Sequence, residues 1–201
     1  PVAEYARRTG RYTIWCTVQT PHPTRLILAE QIFHIPETSI RVVCEQMGGG
    51  FGMKLQAHPE DALIAIGARD LGAVVRWTAD RSEAFLSDAQ GRDHVSSASL
   101  ALDGDGNFLG LRVQTVANLG AYISTFAPLI PTFLYGTLLA GQYTTPAIHC
   151  TVDAVFTNTV PVDALRGAGR PEVGFAMERA VDLVAAKLGL DPAEVRGIDK
   201  A

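Results

Sequence analysis

Residues 94–122, HVSSASLALDGDGNFLGLRVQTVANLGAY, indicate how this part of the chain folds, because two strand-like runs flank a cluster of turn-forming residues. The cluster DGDGN at 103–107 predicts the turn of a β-hairpin. It also imitates the start of an EF-hand calcium loop, but Phe108 stands where that loop needs glycine and Gln114 where it needs a bidentate glutamate. We therefore interpret 94–122 as a hairpin with no bound calcium.

The rest of the chain mixes strands and helices around this hairpin. Further strands are predicted at 11–20, 39–46, 73–80 and 148–158, and helices at 21–35, 58–72 and 170–190. The last two helices each have a proline in the first turn and a glycine after the last apolar residue. The apolar segment 122–141 is broken by two prolines, so we expect it to be buried and irregular. Because strands and helices do not alternate as regular βαβ units, we predict an α+β fold, a mixed sheet with packed helices.

Length and composition limit the possible functions. The 201 residues suffice for one domain or two small ones. A formal net charge of −4 without a basic block argues against a nucleic-acid partner. No apolar run approaches the roughly 20 residues needed to span a bilayer. Cys16, Cys44 and Cys150 are far apart and lack metal-site spacing, which favours buried thiols in a reducing, cytoplasmic compartment.

Both ends of the chain suggest a piece of a longer protein. It begins at Pro1 without an initiator methionine. Near the other end, Asp191 and Glu194 form a capping-box pattern with Pro192 at the first helical position, so a helix starts shortly before the last residue. We expect an excised segment, and missing targeting signals then say little about the parent protein.

The glycine cluster in CEQMGGGFGMKLQ, residues 44–56, is the first candidate binding site. Four glycines fall within positions 48–52. Neither the dinucleotide fingerprint nor the P-loop fits this spacing. A tight turn with positive φ explains part of the cluster. The remaining glycines would let backbone N–H groups approach a ligand closely, so the cluster predicts a cofactor-facing loop.

Two other candidates are less specific. The five histidines are scattered singly, and none pairs with another at metal-ligand spacing. The stretch DALRGAGRPE, residues 163–172, places two arginines beside a helix N-terminus, which is suitable for binding an anion. A solvated loop arginine explains the same pattern, and both interpretations remain open.

Several motifs in one order resemble the molybdenum hydroxylases, which include xanthine dehydrogenase, aldehyde oxidoreductase and the large subunit of aerobic carbon monoxide dehydrogenase. The motifs are TVQTPH, VVCEQMGGGFGMK, WTADRSEAF, GRDH, DGDGN, YTTPAIHCTVDAVFTNTVP and LRGAGRPE. The resemblance runs across essentially the whole chain. It implies that residues 1–201 are part of the molybdopterin-binding domain of a larger catalytic subunit.

The resemblance also implies an activity and its cofactors. Enzymes of this family insert water-derived oxygen into a C–H bond of the substrate and pass the electrons through iron–sulfur centres to FAD. We therefore expect molybdenum-molybdopterin, in its cytosine dinucleotide form, with FAD and two-iron two-sulfur clusters on partner subunits. The expected partners are an FAD-binding subunit, an iron–sulfur subunit and the rest of the chain's own subunit.

The family's site residues transfer by position. Gly50, Phe51 and Gly52 match the turn that presses backbone amides against the ligands of the metal, with the aromatic ring forming a wall. Gln19 matches the glutamine whose amide reaches the apical oxo group, and Arg166 matches a loop arginine near the cofactor. The family's general-base glutamate lies beyond this segment, so the resemblance implies no catalytic residue and no direct metal ligand here. If the molecule ended at Ala201, we would expect no turnover and poor cofactor binding.

Departures from the family pattern concern the substrate. Leu55, Leu134 and Ala168 stand where xanthine-specific members have a glutamate, an arginine and a phenylalanine that contact the purine. Gly167 stands where carbon monoxide dehydrogenases have a copper-binding cysteine, so no soft ligand for Cu(I) is present in this loop. An aldehyde or an N-heterocycle in an apolar pocket is the expected substrate. A non-catalytic scaffold or interaction module is the main alternative, and a nucleotide-binding module a weaker one.

Overall fold

The computed structural model describes residues 1–198, which divide into two compact units, Pro1–Asp88 and the part that begins at Ala89. In the first unit, the strands are β1 Val2–Ala6, β2 Arg11–Trp15, β3 Ile40–Val43 and β4 Val75–Arg76, and the helices are α1 Pro21–Leu26, α2 Pro59–Leu71 and α3 Arg81–Ser87. A π-helical stretch, Ile27–Phe33, continues α1, and a short 3-10 turn, Glu37–Ser39, precedes β3. The sheet order is β3-β2-β1-β4, with β2 and β3 parallel and the other pairs antiparallel.

Local signals explain the helices of the first unit. Pro59 occupies the first turn of α2, and Gly72 ends the helix in the left-handed conformation at φ 65°. At the start of α3 the Asp80 side chain accepts a hydrogen bond from the Glu83 N–H, and the Glu83 side chain accepts one from the Asp80 N–H, both at 2.8 Å. This capping box satisfies two amide groups that the helix leaves unpaired.

The strands of the first unit are shorter than the sequence predicts. The strand expected over 11–20 ends at Trp15, because the chain then turns so that the Gln19 N–H donates to the Lys54 carbonyl at 2.7 Å. The strand expected over 39–46 covers only Ile40–Val43, and that expected over 73–80 only Val75–Arg76. The latter strand pairs only with the first two residues of β1, and α3 begins soon after it.

In the second unit a three-stranded sheet packs with two helices. Its strands are β5 His94–Leu102, β6 Phe108–Gly120 and β7 Ile148–Phe156, and its helices are α4 Arg170–Leu188 and α5 Pro192–Ile198. The order is β5-β6-β7, with β5 and β6 antiparallel and β6 and β7 parallel, which confirms the predicted hairpin. Its turn forms because Asp103 Oδ1 accepts hydrogen bonds from the N–H groups of Asp105 and Asn107.

Both sheets are mixed and each packs against helices, so the α+β prediction is confirmed. The core of the second unit buries Val113 of β6, Tyr135, and Met177 and Val181 of α4. The segment 122–141 is irregular, as predicted, with a 3-10 turn at Ala127–Leu129 and a π-helical stretch at Ile130–Leu134. The expectation that this segment is buried was wrong in part.

In that segment Ile130, Tyr135 and Leu139 are buried, but Leu129 and Phe133 are 51% and 63% exposed. The helical turns explain this difference, because they direct only one side of the segment toward the core. Across residues 1–198, none of the helices combines the length and the apolar character that crossing a membrane requires.

Candidate cofactor-binding loops

The loop that follows β3 places the predicted glycine cluster against Gln19. Gln19 Oε1 accepts a hydrogen bond from the Gly52 N–H at 2.9 Å. Because a backbone N–H can only donate, the oxygen and not the nitrogen of the carboxamide must face Gly52. This arrangement leaves the two Nε2 hydrogens of Gln19 for a partner other than Gly52.

Each of three glycines in the cluster has a structural reason. A Cβ on Gly50 would lie 2.2 Å from Gln19 Oε1, so only glycine leaves room for the carboxamide. Gly49 and Gly52 have φ angles of 105° and 104°, in the region that favours glycine. A Cβ on Gly49 would also lie 2.9 Å from the ring of Phe51. Gly48 has neither a positive φ nor a neighbour within 4 Å, and nothing in the structure explains it.

Phe51 adopts a left-handed backbone at φ 52°, which is costly for a residue with a side chain. Its side chain is 59% exposed, so burial of the ring within its own unit does not explain this conformation. The loop is held instead by backbone bonds, from the Met53 N–H to the Gly50 carbonyl and from the Leu55 N–H to the Gly52 carbonyl, both at 3.0 Å. A non-glycine residue held in the left-handed region is more frequent at sites that bind ligands than elsewhere.

Leu55 and its neighbour extend this loop. Leu55 is half-buried, and its carbonyl accepts a hydrogen bond from Thr20 Oγ1 at 3.0 Å. Gln56, which the sequence analysis did not single out, is buried, and its Oε1 accepts no hydrogen bond within residues 1–198. In the sequence, the only signal for Gln56 is that a glutamine stands directly before the segment that leads into α2. The first unit thus holds Gln19, Gly50, Phe51, Gly52 and Leu55 in one set of contacting segments.

The loop 166–170 of the second unit is strongly bent. Gly167, Ala168 and Gly169 have φ angles of 106°, 38° and 89° in succession, so even the alanine is in the left-handed region. The Ala168 N–H donates to the Leu165 carbonyl at 2.9 Å, and the Arg170 N–H donates to the Gly167 carbonyl at 3.1 Å. Gly169 then becomes the N-terminal cap residue of α4, without a side chain to satisfy the first amides of the helix.

This loop lies against the π-helical stretch that ends at Leu134. A Cβ on Gly169 would lie 3.1 Å from the Leu134 carbonyl carbon and 3.0 Å from the Tyr135 nitrogen. Glycine at 169 is therefore required both by its φ and by this close backbone approach. Leu134 and Ala168, both half-buried, are consequently near each other in the second unit.

Arg166 is exposed, and its carbonyl is held by a residue that the sequence analysis did not assign a role. Arg92 Nη2 donates to the Arg166 carbonyl, and Arg92 Nε lies 3.8 Å from Glu172 Oε2. Arg92 thus connects the loop to the first turn of α4. Its motif, GRDH, is among those that resemble the molybdenum hydroxylases, but only the structure shows what the arginine contacts.

No group of three or more His, Cys, Asp and Glu side chains among residues 1–198 is arranged to bind a metal ion. The two loops instead offer amide, backbone and guanidinium donors. Such groups bind anionic or oxo-bearing ligands through hydrogen bonds.

Comparison with known proteins identifies the family. The model of the molybdopterin cofactor-binding domain matches residues 1–198. The chain is 40% identical, over 91% of its length, to the 6-hydroxypseudooxynicotine dehydrogenase complex subunit gamma of Paenarthrobacter nicotinovorans, and covers 23% of that protein. It is 36% identical, over 97% of its length, to the carbon monoxide dehydrogenase large chain of Hydrogenophaga pseudoflava, and covers 24% of it.

Solved structures agree with these relatives. The structure of quinoline 2-oxidoreductase from Pseudomonas putida 86 matches 99% of the chain with a TM-score of 0.92 and 36% identity, over 25% of that protein's chain. The chain therefore spans about a quarter of the length of the relatives it matches. It belongs to the molybdopterin cofactor-binding domain family of the molybdenum-dependent oxidoreductases.

Proposed function

We propose that this chain is part of the molybdenum-binding catalytic subunit of a molybdenum hydroxylase, which oxidises an aldehyde or an N-heterocycle with oxygen derived from water. The proposal is supported by the family match over residues 1–198 and by relatives that are named as dehydrogenases or oxidoreductases. When bound, molybdenum-molybdopterin would supply the oxygen transfer and accept the electrons. The residues of this chain bind and orient the cofactor and shape the space beside it.

The proposal rests chiefly on the contact between Gln19 and Gly52. One carboxamide atom fixes the loop, and the Nε2 donor remains for a ligand with an acceptor atom. Gly50 leaves the space that this carboxamide needs, since any Cβ would displace it. The donor set therefore fits a cofactor with oxo and other acceptor groups, and Phe51 at φ 52° would form an aromatic wall beside it.

The second loop fits the anionic part of such a cofactor. Arg166 places a guanidinium in the loop that leads into α4, and the Gly169 cap has no side chain to compete for the Glu172 N–H. The Arg170 N–H is already bonded to the Gly167 carbonyl, and Pro171 has no N–H. A helix N-terminus with a nearby guanidinium is suitable for a phosphate group. We therefore assign Arg166 to cofactor binding.

The substrate pocket is assigned to uncharged side chains. Leu55, Leu134 and Ala168 are half-buried and apolar, so they offer no hydrogen bonds to a purine. Sites that recognise a polar substrate discriminate strongly through such bonds, and their loss argues against xanthine. Gly167 supplies no sulfur for copper, which argues against carbon monoxide.

The remaining assignments rest on the resemblance to the family. They are the cytosine dinucleotide form of the cofactor, partner subunits that carry FAD and two-iron two-sulfur clusters, and a cytoplasmic location. The rest of the chain's own subunit would supply most pterin contacts and the general-base glutamate.

The test is a purification of the complete subunit encoded by the reading frame that contains these residues, together with its neighbouring subunits. We expect bound molybdenum, and reduction of a dye with aldehydes or N-heterocycles that is much faster than with xanthine. A folded protein that contains no molybdenum under conditions that load a related enzyme would refute the proposal and favour a non-catalytic scaffold. Efficient turnover of xanthine would refute the substrate assignment alone.

A further inference from the structure

A groove of about 460 Å³ lies between α4 and β5 in the second unit, and Arg92 and Pro171 in its lining adjoin the loop 166–170. Its lining includes His94 of β5 and Ala176 and Ala180 of α4. Phe175 and Leu183 lie at its rim and are 75% and 54% exposed. Large apolar side chains exposed beside a groove indicate a surface that another group covers.

Two residues that line the groove each have a buried polar atom without a hydrogen-bond partner within residues 1–198. Glu172 Oε2 is one of these atoms, although the Glu172 side chain is only 9% exposed. Its nearest cation is Arg92, whose Nε is 3.8 Å away and therefore too far for a hydrogen bond. His94 Nδ1 is the other buried atom without a partner. A buried polar atom without a hydrogen-bond partner costs about 1–3 kcal/mol of stability, so a partner for each of these atoms would be favourable.

The charges around the groove restrict what could bind there. Arg92 and Arg179 are positive and Glu172 is negative, so a simple anion would meet the carboxylate and a simple cation would meet two guanidinium groups. Burial lowers the pKa of His94, which favours its neutral form. A neutral group with one donor and one acceptor fits this set, because the donor can bind the Glu172 carboxylate and the acceptor can bind His94 or Arg179.

We propose that this groove binds a polypeptide segment of the same subunit, outside residues 1–201, through a main-chain amide that donates to Glu172 and apolar side chains that cover Phe175 and Leu183. A peptide group supplies the donor and the acceptor together. The share of the relatives' length that the chain leaves uncovered, about three quarters, provides ample polypeptide for this contact. The inference rests on the proposed function, because it requires the chain to be part of a longer subunit.

The first experiment places the photoreactive analogue p-benzoylphenylalanine at position 175 of the complete subunit in the assembled enzyme. The native residue there is already aromatic and exposed, so the fold should tolerate the analogue. After irradiation and digestion, mass spectrometry identifies the attached peptide. We expect a peptide of the same subunit from outside residues 1–201. Attachment to another subunit, attachment only within residues 1–201, or no attachment would overturn the inference.

The second experiment tests Glu172 as the acceptor. Hydrogen exchange of the captured segment is compared in the complete subunit with Glu172→Leu and with the control Glu178→Leu, whose carboxylate instead bonds Arg196 and Tyr143. We expect exchange about tenfold faster in the first variant, because the segment loses a hydrogen bond, and unchanged exchange in the second. Equal exchange in both variants would overturn the role of Glu172.

Molybdenum content, measured on the same samples, separates this inference from the proposed function. The expected cross-link in a subunit that contains no molybdenum would support the docking groove and count against the cofactor assignment. Bound molybdenum without the cross-link would support the cofactor assignment and count against the docking groove.

Discussion

Gln19 and Gly52 are 33 positions apart in the sequence, yet the Gly52 N–H donates to Gln19 Oε1 at 2.9 Å. This bond joins the segment after β2 to the glycine loop after β3. The backbone bond from the Gln19 N–H to the Lys54 carbonyl reinforces the connection. Because the carboxamide oxygen is occupied, the orientation of the Nε2 donor is fixed before any ligand binds, and such preorganisation lowers the cost of binding.

A methyl group at position 50 should break this connection. In Gly50→Ala the Cβ would lie 2.2 Å from Gln19 Oε1, so the carboxamide must move and the Gly52 N–H loses its acceptor. We expect urea denaturation of the 201-residue chain to show a loss of about 1–2 kcal/mol, mainly from that hydrogen bond. Gly48→Ala is the matched control, since its Cβ would have open space, and it should change stability by less than about 0.5 kcal/mol. Equal losses in both variants would contradict this account of the loop.

Two glycines of the second unit should respond to alanine in opposite directions. Gly169 has φ 89°, and its Cβ would meet the backbone of 130–135 at 3.0–3.2 Å, so Gly169→Ala should destabilise the chain by about 2 kcal/mol or more. Gly174 lies inside α4 with open space around it, so Gly174→Ala should stabilise the chain by about 1 kcal/mol through helix propensity. Thermal unfolding of both variants checks the signs. Destabilisation by Gly174→Ala would show that this part of α4 is packed differently.

The buried thiol of Cys16 should make stability fall at alkaline pH. Burial raises the pKa of Cys16 from an ordinary value of 9.0 to about 12. Between these values the unfolded chain loses the thiol proton while the folded chain keeps it, so the unfolded state binds fewer protons and stability falls as pH rises. Below pH 9 the contribution is fully present, and between pH 9 and 12 it is lost by up to about 1.4 kcal/mol per pH unit.

Denaturation of the native chain and of Cys16→Ala at pH 8, 9 and 10 measures this effect. The difference in the free energy of unfolding between the two proteins should be constant up to about pH 9 and should shrink above it. A difference that stays constant up to pH 10 would mean that the folded thiol ionises as readily as the unfolded one.

The sequence predicted the elements with strong local signals. The helices α2 and α4 have prolines in their first turns and left-handed glycines at their ends, and the hairpin of β5 and β6 has an aspartate that caps its own turn. The capping box of Asp80 and Glu83 was also readable, yet α3 was overlooked, because the seven-residue helix carries no apolar periodicity. The sequence did not predict strand β1, because this strand is defined by its pairing with β2 and β4 in the folded chain and not by a local pattern.

The candidate site was predictable only through the order of family motifs. Glycine spacing alone indicated a ligand-facing loop but not that Gln19 orients it, because a contact across 33 residues leaves no local pattern. Arg92 and Glu172 could not be recognised for a similar reason. Each is an ordinary charged residue in sequence, and its importance comes from the partner it has or lacks in the fold.

The central claim is that Gln19 uses its oxygen to hold Gly52 and its nitrogen to bind the cofactor. Gln19→Glu separates these roles, because a carboxylate still accepts from the Gly52 N–H but has no donor and adds a negative charge. In the complete enzyme we predict that Gln19→Glu preserves folding but reduces bound molybdenum severalfold and dye reduction more than about tenfold, whereas the exposed control Gln114→Glu changes neither. Full molybdenum content and full activity in Gln19→Glu would contradict the claim.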